Sequence, residues 1–188
     1  MCRIIRRFIS TIPRLPAGEK DFIETTYPEI SISDSRIEII QKIENLIDVS
    51  DYARLATYTY RDMDLIDWHP FIKAAIERNP VAYGFLSDKS PENLYSIIRD
   101  LENVSIYEGN RLALPDETWN FRRGDGIEKA LLMANIIATR DPNTELNISI
   151  SGTLVQFYLG GRSFRFNSAK SLKRRIRILN FEYSIDPI

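Results

Sequence analysis

The chain reads as an α+β domain with a helical N-terminal half, a central buried helix and a C-terminal antiparallel β-meander. Three observations predict this class. Before residue 140, apolar residues keep helical spacing in several capped runs. One of these runs, 126–139, is apolar almost all round, as a helix buried on every side must be. After 140-RDPNTE-145 the pattern changes to the alternation and the β-branched or aromatic enrichment of strands.

Residues 1–33 are predicted as an extended basic lead-in and 34–188 as one domain. Pro13, Pro16, Gly18 and Pro28, set among Thr and Ser, argue against a regular element over 10–33. In 35-SRIEIIQKIENLID-48, Ser35 and Glu38 form a capping-box pattern, and Ile39, Ile40, Ile43, Leu46 and Ile47 make an apolar face. A second helix is expected over 51–61, with Leu55 and Tyr58 facing inward. In 67-DWHPFIKAAIERNP-80, Pro70 suits a first turn and Pro80 bounds the far end, giving a helix over 69–78. Ser90 caps the next helix and Pro91 opens it, with Leu94, Ile97, Ile98 and Leu101 on one stripe.

The central helix starts at Asp125, a good N-cap, with Glu128 placed to complete a capping box and Gly126 in the first turn. Ala130, Leu131, Ala134, Ile137 and Ala138 line one side, and Leu132, Met133 and Ile136 fill much of the other. Strands are expected at 146–151, 153–159 and 162–167, with Gly160-Gly161 as a tight hairpin turn. The block 170-KSLKRRIRI-178 reads as a further strand, Arg175 and Arg177 alternating with Ile176 and Ile178.

With 188 residues, 44% hydrophobic and 27% charged, the chain has enough material for one sizeable core and needs no disulfide or metal staple. A single Cys excludes an intrachain bridge and any multi-Cys zinc site, and no cofactor or metal is expected. No run has the length of an apolar membrane span, and 1-MCRIIRRFIS-10 lacks the uninterrupted apolar core of a secretory signal. The chain as written is expected to be soluble; a cytoplasmic N-terminus and a trimmed lipoprotein end at Cys2 both fit.

Net charge is −1 but uneven. Residues 1–14 hold four Lys/Arg and no acid, and 170–188 hold five against two acids, which leaves 16 bases and 24 acids between, a net of −8. Such a body repels phosphate, which argues against an extended nucleic-acid surface. The basic ends remain candidates for an acidic partner or anionic surface, notably Lys170, Lys173, Arg174, Arg175 and Arg177; a sheet edge merely protected by charge is the alternative.

The approach to the central helix carries the clearest functional pattern. Pro115-Asp116-Glu117-Thr118, then Arg122-Arg123-Gly124-Asp125-Gly126, then Glu128-Lys129-Ala130-Leu131-Leu132, resembles the nucleophile segment of the transglutaminase-like superfamily, whose papain-like members read P-x-E-T, R-x-G-D-C and an apolar helix. The hairpin 152-GTLVQFYLGGRSFRFNS-168 is similar to the family segment that carries a histidine and an aspartate. The resemblance covers about 115–169 and implies a papain-like fold with a cleft for an extended peptide. Matched by the glycine turn, the thiol position is Gly126, the histidine position Gly152 with Thr153 next to it, and the aspartate position Asn167.

The departures decide the expected chemistry. A thiol at a helix's first turn would be activated by the unpaired N–H groups, but Gly126 offers no nucleophile, and no histidine follows it. Acyl transfer by the family mechanism is therefore excluded for this chain. The reading is a pseudoenzyme that binds a peptide or protein in a groove lined by Arg122, Arg123, Asp125, Gly126, Thr153 and Asn167, its floor widened and its first-turn N–H groups open.

Two alternatives stand beside it: a hydrolase using the carboxylates of 116–128, such as an Asp116–Glu117 pair, and an assembly subunit docking through its basic termini. Elsewhere, Cys2 and His69 are the only thiol and imidazole, and 61-RDMDLIDW-68 reads as a solvated turn that lacks the glycine and distal glutamate of a calcium loop.

Overall fold

The structure, a computed structural model, describes residues 25–188; most of the predicted lead-in, with Cys2 and the basic cluster of 1–14, lies outside the described residues. Among the described residues, seven helices come first: α1 (Arg36–Glu44), α2 (Asp51–Tyr60), α3 (Trp68–Glu77), α4 (Pro80–Leu86), α5 (Pro91–Arg99), α6 (Pro115–Phe121) and α7 (Gly126–Arg140). Five strands follow: β1 (Leu146–Ser151), β2 (Leu154–Leu159), β3 (Arg162–Asn167), β4 (Lys173–Leu179) and β5 (Glu182–Asp186). The α+β class is thus the one the sequence predicts.

Side-chain caps start most of the helices, because the first N–H groups of a helix have no partner inside it. Ser35, Ser50, Asp67, Ser90 and Asp125 each accept from a backbone N–H two or three residues further on. Two helices were not expected. Pro80 lies beyond the end of α3 at Glu77, as expected, but also opens α4, and Pro115 opens α6. In both, proline occupies the first helical position, where its missing N–H is no loss.

A second correction concerns α2. Ala53 and Thr57 are its buried residues, while Leu55 is 64% exposed. Leu55 turns outward because the smaller Ala53 and Thr57 take the inner face, whereas Tyr58 packs partly buried against the core, as expected. Helix α1 has its capping box and apolar face, yet buries no residue completely.

The sheet order is β3-β2-β1-β4-β5 with every pair antiparallel. β1, β2 and β3 follow one another as hairpins; the chain then returns along 168–172 so that β4 pairs with the other side of β1. Gly160 and Gly161 take φ of 51° and 80°, the left-handed pair that a two-residue hairpin requires. β5 was not predicted, since its turn is made by Asn180 and Phe181 at φ of 52° and 59°, without glycine.

Helix α7 is the centre of the molecule. Every residue from Gly126 to Ala138 is buried, with the sheet on one side and α3, α4, α5 and α6 on the others. Ile148, Val155, Phe157, Phe166 and Ile176 of the inner sheet face meet Leu131, Ala134 and Ile137 in one continuous core. Inside that core the Lys129 ammonium donates to the carbonyls of Arg99 and Leu101 at the C-terminal end of α5, at 3.1 and 2.7 Å, and the Asn135 amide donates to the Ile76 carbonyl at 2.7 Å while its own oxygen has no partner. Among the described residues, no helix is long and apolar enough to cross a membrane.

Candidate functional site

The segment 115–128 folds as a helix, a tight turn and a second helix. Pro115 starts α6. The Asp116 carboxylate accepts from the N–H groups of Val81 and Ala82 at 3.1 and 2.7 Å, capping α4. Thr118 is buried against Gly124, where a Cβ would stand 2.6 Å from the Thr118 methyl, so only glycine fits. Arg122 ends α6 in the left-handed region at φ 56° and lays its guanidinium over the Trp119 ring.

Glu117 makes the strongest polar contact of the region. Arg61 holds it through both guanidinium nitrogens at 2.7 and 3.0 Å, the Leu114 N–H adds a bond at 2.7 Å, and the Tyr107 hydroxyl another at 2.9 Å. Burial pushes the carboxyl up, but these donors outweigh it and leave Glu117 below its usual pKa. Its principal partner is Arg61, 56 residues away. No local pattern announces that pair.

Helix α7 is capped as predicted. Asp125 accepts from Ile127 N–H at 3.0 Å, and Glu128 accepts from Asp125 N–H at 2.8 Å. Each carboxylate also reaches further: Asp125 takes the Ala169 N–H at 2.7 Å, and Glu128 takes Ser105 Oγ and the Ala113 N–H at 2.6 and 2.7 Å. Burial raises the Glu128 pKa despite these donors. All four carboxylates of 116–128 are therefore bound by donors that hold the fold together.

The three positions matched to a thiol, an imidazole and a carboxylate do lie at one end of the sheet. Leu154 pairs with Asn167, and Ser168 N–H donates to Thr153 carbonyl at 2.9 Å, so the Gly152-Thr153 turn stands beside the end of β3. Gly152 takes φ 63° with open space around it, and Thr153 is exposed.

Gly126 is different. A Cβ there would lie against the carbonyl oxygen of Asn167, 2.7 Å from its carbonyl carbon and 3.1 Å from Phe166 Cβ. Its missing side chain opens no groove floor, because the backbone of β3 occupies that space. With Asp125 and Glu128 in the capping box, the first-turn donors are not open as expected either.

Beside this turn the surface carries a cleft of about 1040 Å³, bordered by Asp62, Asp64, Asn103, Phe121, Arg123 and Lys170. Asp125 forms part of its wall. Phe121 stands 62% exposed at its rim. Arg123 pairs with Glu102 at 2.9 Å. The sequence reading did not anticipate Asp62, Asp64 and the 103–110 loop here, because they converge only through tertiary packing.

The basic patch is smaller than the sequence suggests. Lys170 is only 6% exposed and donates to the carbonyls of Tyr107 and Gly109 at 3.3 and 2.9 Å; burial lowers its pKa, and nearby Glu128 and Asp125 partly hold it up. Arg177 pairs with Glu145 at 2.8 Å, and Arg174 lies over Trp68. Lys173 and Arg175 remain on the outer face, with Arg175 opposite Asp186 in the ladder.

His69 sits exposed in the first turn of α3, edge-on to the Tyr183 ring. In the acidic turn, Asp67 caps α3 and Asp64 accepts from Asn110 at 2.7 Å; among the described residues no group of acids, His or Cys is placed to hold a metal ion. No family model, curated protein or solved structure matches the chain.

Proposed function

We propose that this is a transglutaminase-like domain without the catalytic side chains, which acts by binding a peptide or protein segment. The observation that carries the reading is the filled space at Gly126: the place a nucleophile would need is taken by the backbone of Asn167. Convergence of Gly152, Thr153 and Asn167 beside the start of α7 supports the resemblance. The binding surface is the neighbouring cleft, where Phe121 offers an exposed aromatic anchor among polar groups. Acids outnumber bases on its border, so the ligand is a neutral or cationic extended segment rather than a carboxylate.

The alternative of hydrolysis by the 116–128 carboxylates has less support, since Asp116, Glu117, Asp125 and Glu128 are each held by structural donors. Selection of peptides from a displayed random library on the immobilised chain tests the proposal. Recovered peptides should lose binding to the Phe121→Ala and Asp64→Lys variants, both altered at exposed positions. Peptides that bind these variants unchanged, or turnover of chromogenic amide and ester substrates by the chain, would overturn it.

A further inference from the structure

Apart from the cleft, the N-terminal helices border a second concavity that nothing among the described residues fills. It measures about 710 Å³, runs along α2, and is lined chiefly by Ile47, Leu55, Tyr58, Leu65, Ile66 and Pro70. Leu55 and Leu65 are 64% and 40% exposed, and α1 beside them buries no residue. Apolar side chains gathered in one groove gain by being covered, at roughly 25 cal/mol for each Å² removed from water. The charged lining is Asp51 and Asp67 against Arg54, so the groove is slightly acidic.

The described chain begins at this groove. Thr25 Oγ1 accepts from the Asp51 N–H at 3.3 Å, and Ser50 Oγ donates to the Thr26 carbonyl at 2.5 Å, which fixes residues 25 and 26 at the N-terminus of α2. The residues that precede it have complementary chemistry. Ile4, Ile5, Phe8, Ile9 and Ile12 recur at the spacing of one helix face, while Arg3, Arg6 and Arg7 fall on the opposite side, with no acid before Glu19. The link from Ile12 to Thr25 reaches roughly 40 Å when extended, at about 3.3 Å per residue, against roughly 15 Å for the length of α2.

We propose that residues 3–12 of the same chain occupy this groove, the isoleucines and Phe8 covering Leu55 and Leu65 and the arginines meeting the aspartates at the rim. The groove is then an intramolecular docking site, distinct from the peptide cleft.

Cys2 is the only cysteine, so a nitroxide attached to the full chain reports the position of the segment without any substitution. Methyl spectra of the labelled chain should lose intensity at Leu55, Leu65 and Ile66, relative to the reduced label, more than at any methyl of the sheet. The loss should persist on dilution and should be weakened by Leu55→Asp but not by Leu55→Met, neither of which alters a buried side chain. Loss spread evenly over the surface would overturn the proposal. So would loss seen only when labelled chains are mixed with isotope-labelled, label-free ones, which would place a second copy in the groove. Docking of the label on vesicles containing anionic phospholipid, with the groove methyls unchanged in their absence, would assign the segment to a membrane surface instead.

Discussion

Gly126, at the first turn of α7, packs directly against the main-chain carbonyl of Asn167 at the end of β3. That contact joins the central helix to the sheet at the point where the resemblance would place a thiol and its carboxylate partner. Any side chain at 126 must displace backbone, and backbone that is part of a sheet does not yield as a flexible side chain does.

Gly126→Ala should therefore lower stability by about 2 kcal/mol, the range of overpacking in a filled site, and Gly126→Cys by at least as much. Urea unfolding of the two variants measures it. An alanine variant as stable as the parent would mean that β3 is free to move away, and that the position had been open after all.

The Arg61–Glu117 pair gives stability a defined pH dependence. The folded pKa of Glu117 lies below its unfolded value, so its contribution is present above the ordinary carboxylate range and is lost as pH falls through the lowered folded pKa. Glu117→Gln should cost about 2 kcal/mol near neutral pH, as for hydrogen bonds to charged groups, and nothing once the parent carboxyl is protonated. Glu128, whose pKa is raised by burial, has the opposite sign: acidification through its folded pKa relieves a buried charge. Melting temperatures of the parent, Glu117→Gln and Glu128→Gln chains across the acid range separate the two.

Phe181 adopts φ 59° in the β4–β5 turn, a conformation that an L side chain with a bulky ring occupies at a penalty. Replacing it with glycine, which makes an Asn-Gly hairpin turn, should stabilise the chain by up to about 1 kcal/mol, because the ring is only partly buried, with 39% of the residue exposed. Thermal unfolding decides the sign, and a destabilised variant would show that the ring's packing outweighs the backbone.

Local stability should rise from α1 to α7. Helix α1 has no buried residue, whereas α7 is buried continuously from Gly126 to Ala138. Amide hydrogen exchange should accordingly be fastest in α1 and slowest in α7 and β1, the latter paired on both sides. Equal protection of α1 and α7 would contradict this ordering.

What was legible along the chain is what local chemistry can encode. Ser35, Ser90 and Asp125 announced their helices because a cap and its N–H partner are a few residues apart. The Gly160-Gly161 turn and the alternation of Arg175, Ile176, Arg177 and Ile178 marked the hairpin and β4 for the same reason. Helices α4 and α6 escaped because they open on Pro80 and Pro115, and proline both ends and begins helices, so that only the chain beyond distinguishes the two. β5 escaped because its turn lacks glycine.

The site was less legible. The motif of 115–128 was visible, and so was its lack of a thiol or a histidine, but what the glycine at 126 does was not. Only tertiary structure decided that β3 fills the space, that Arg61 finds Glu117, and that Lys170 turns inward to the carbonyls of 107 and 109. Those are contacts between residues 41 to 63 positions apart, and their energies depend on distance in space, which the pattern of neighbours along the chain does not contain.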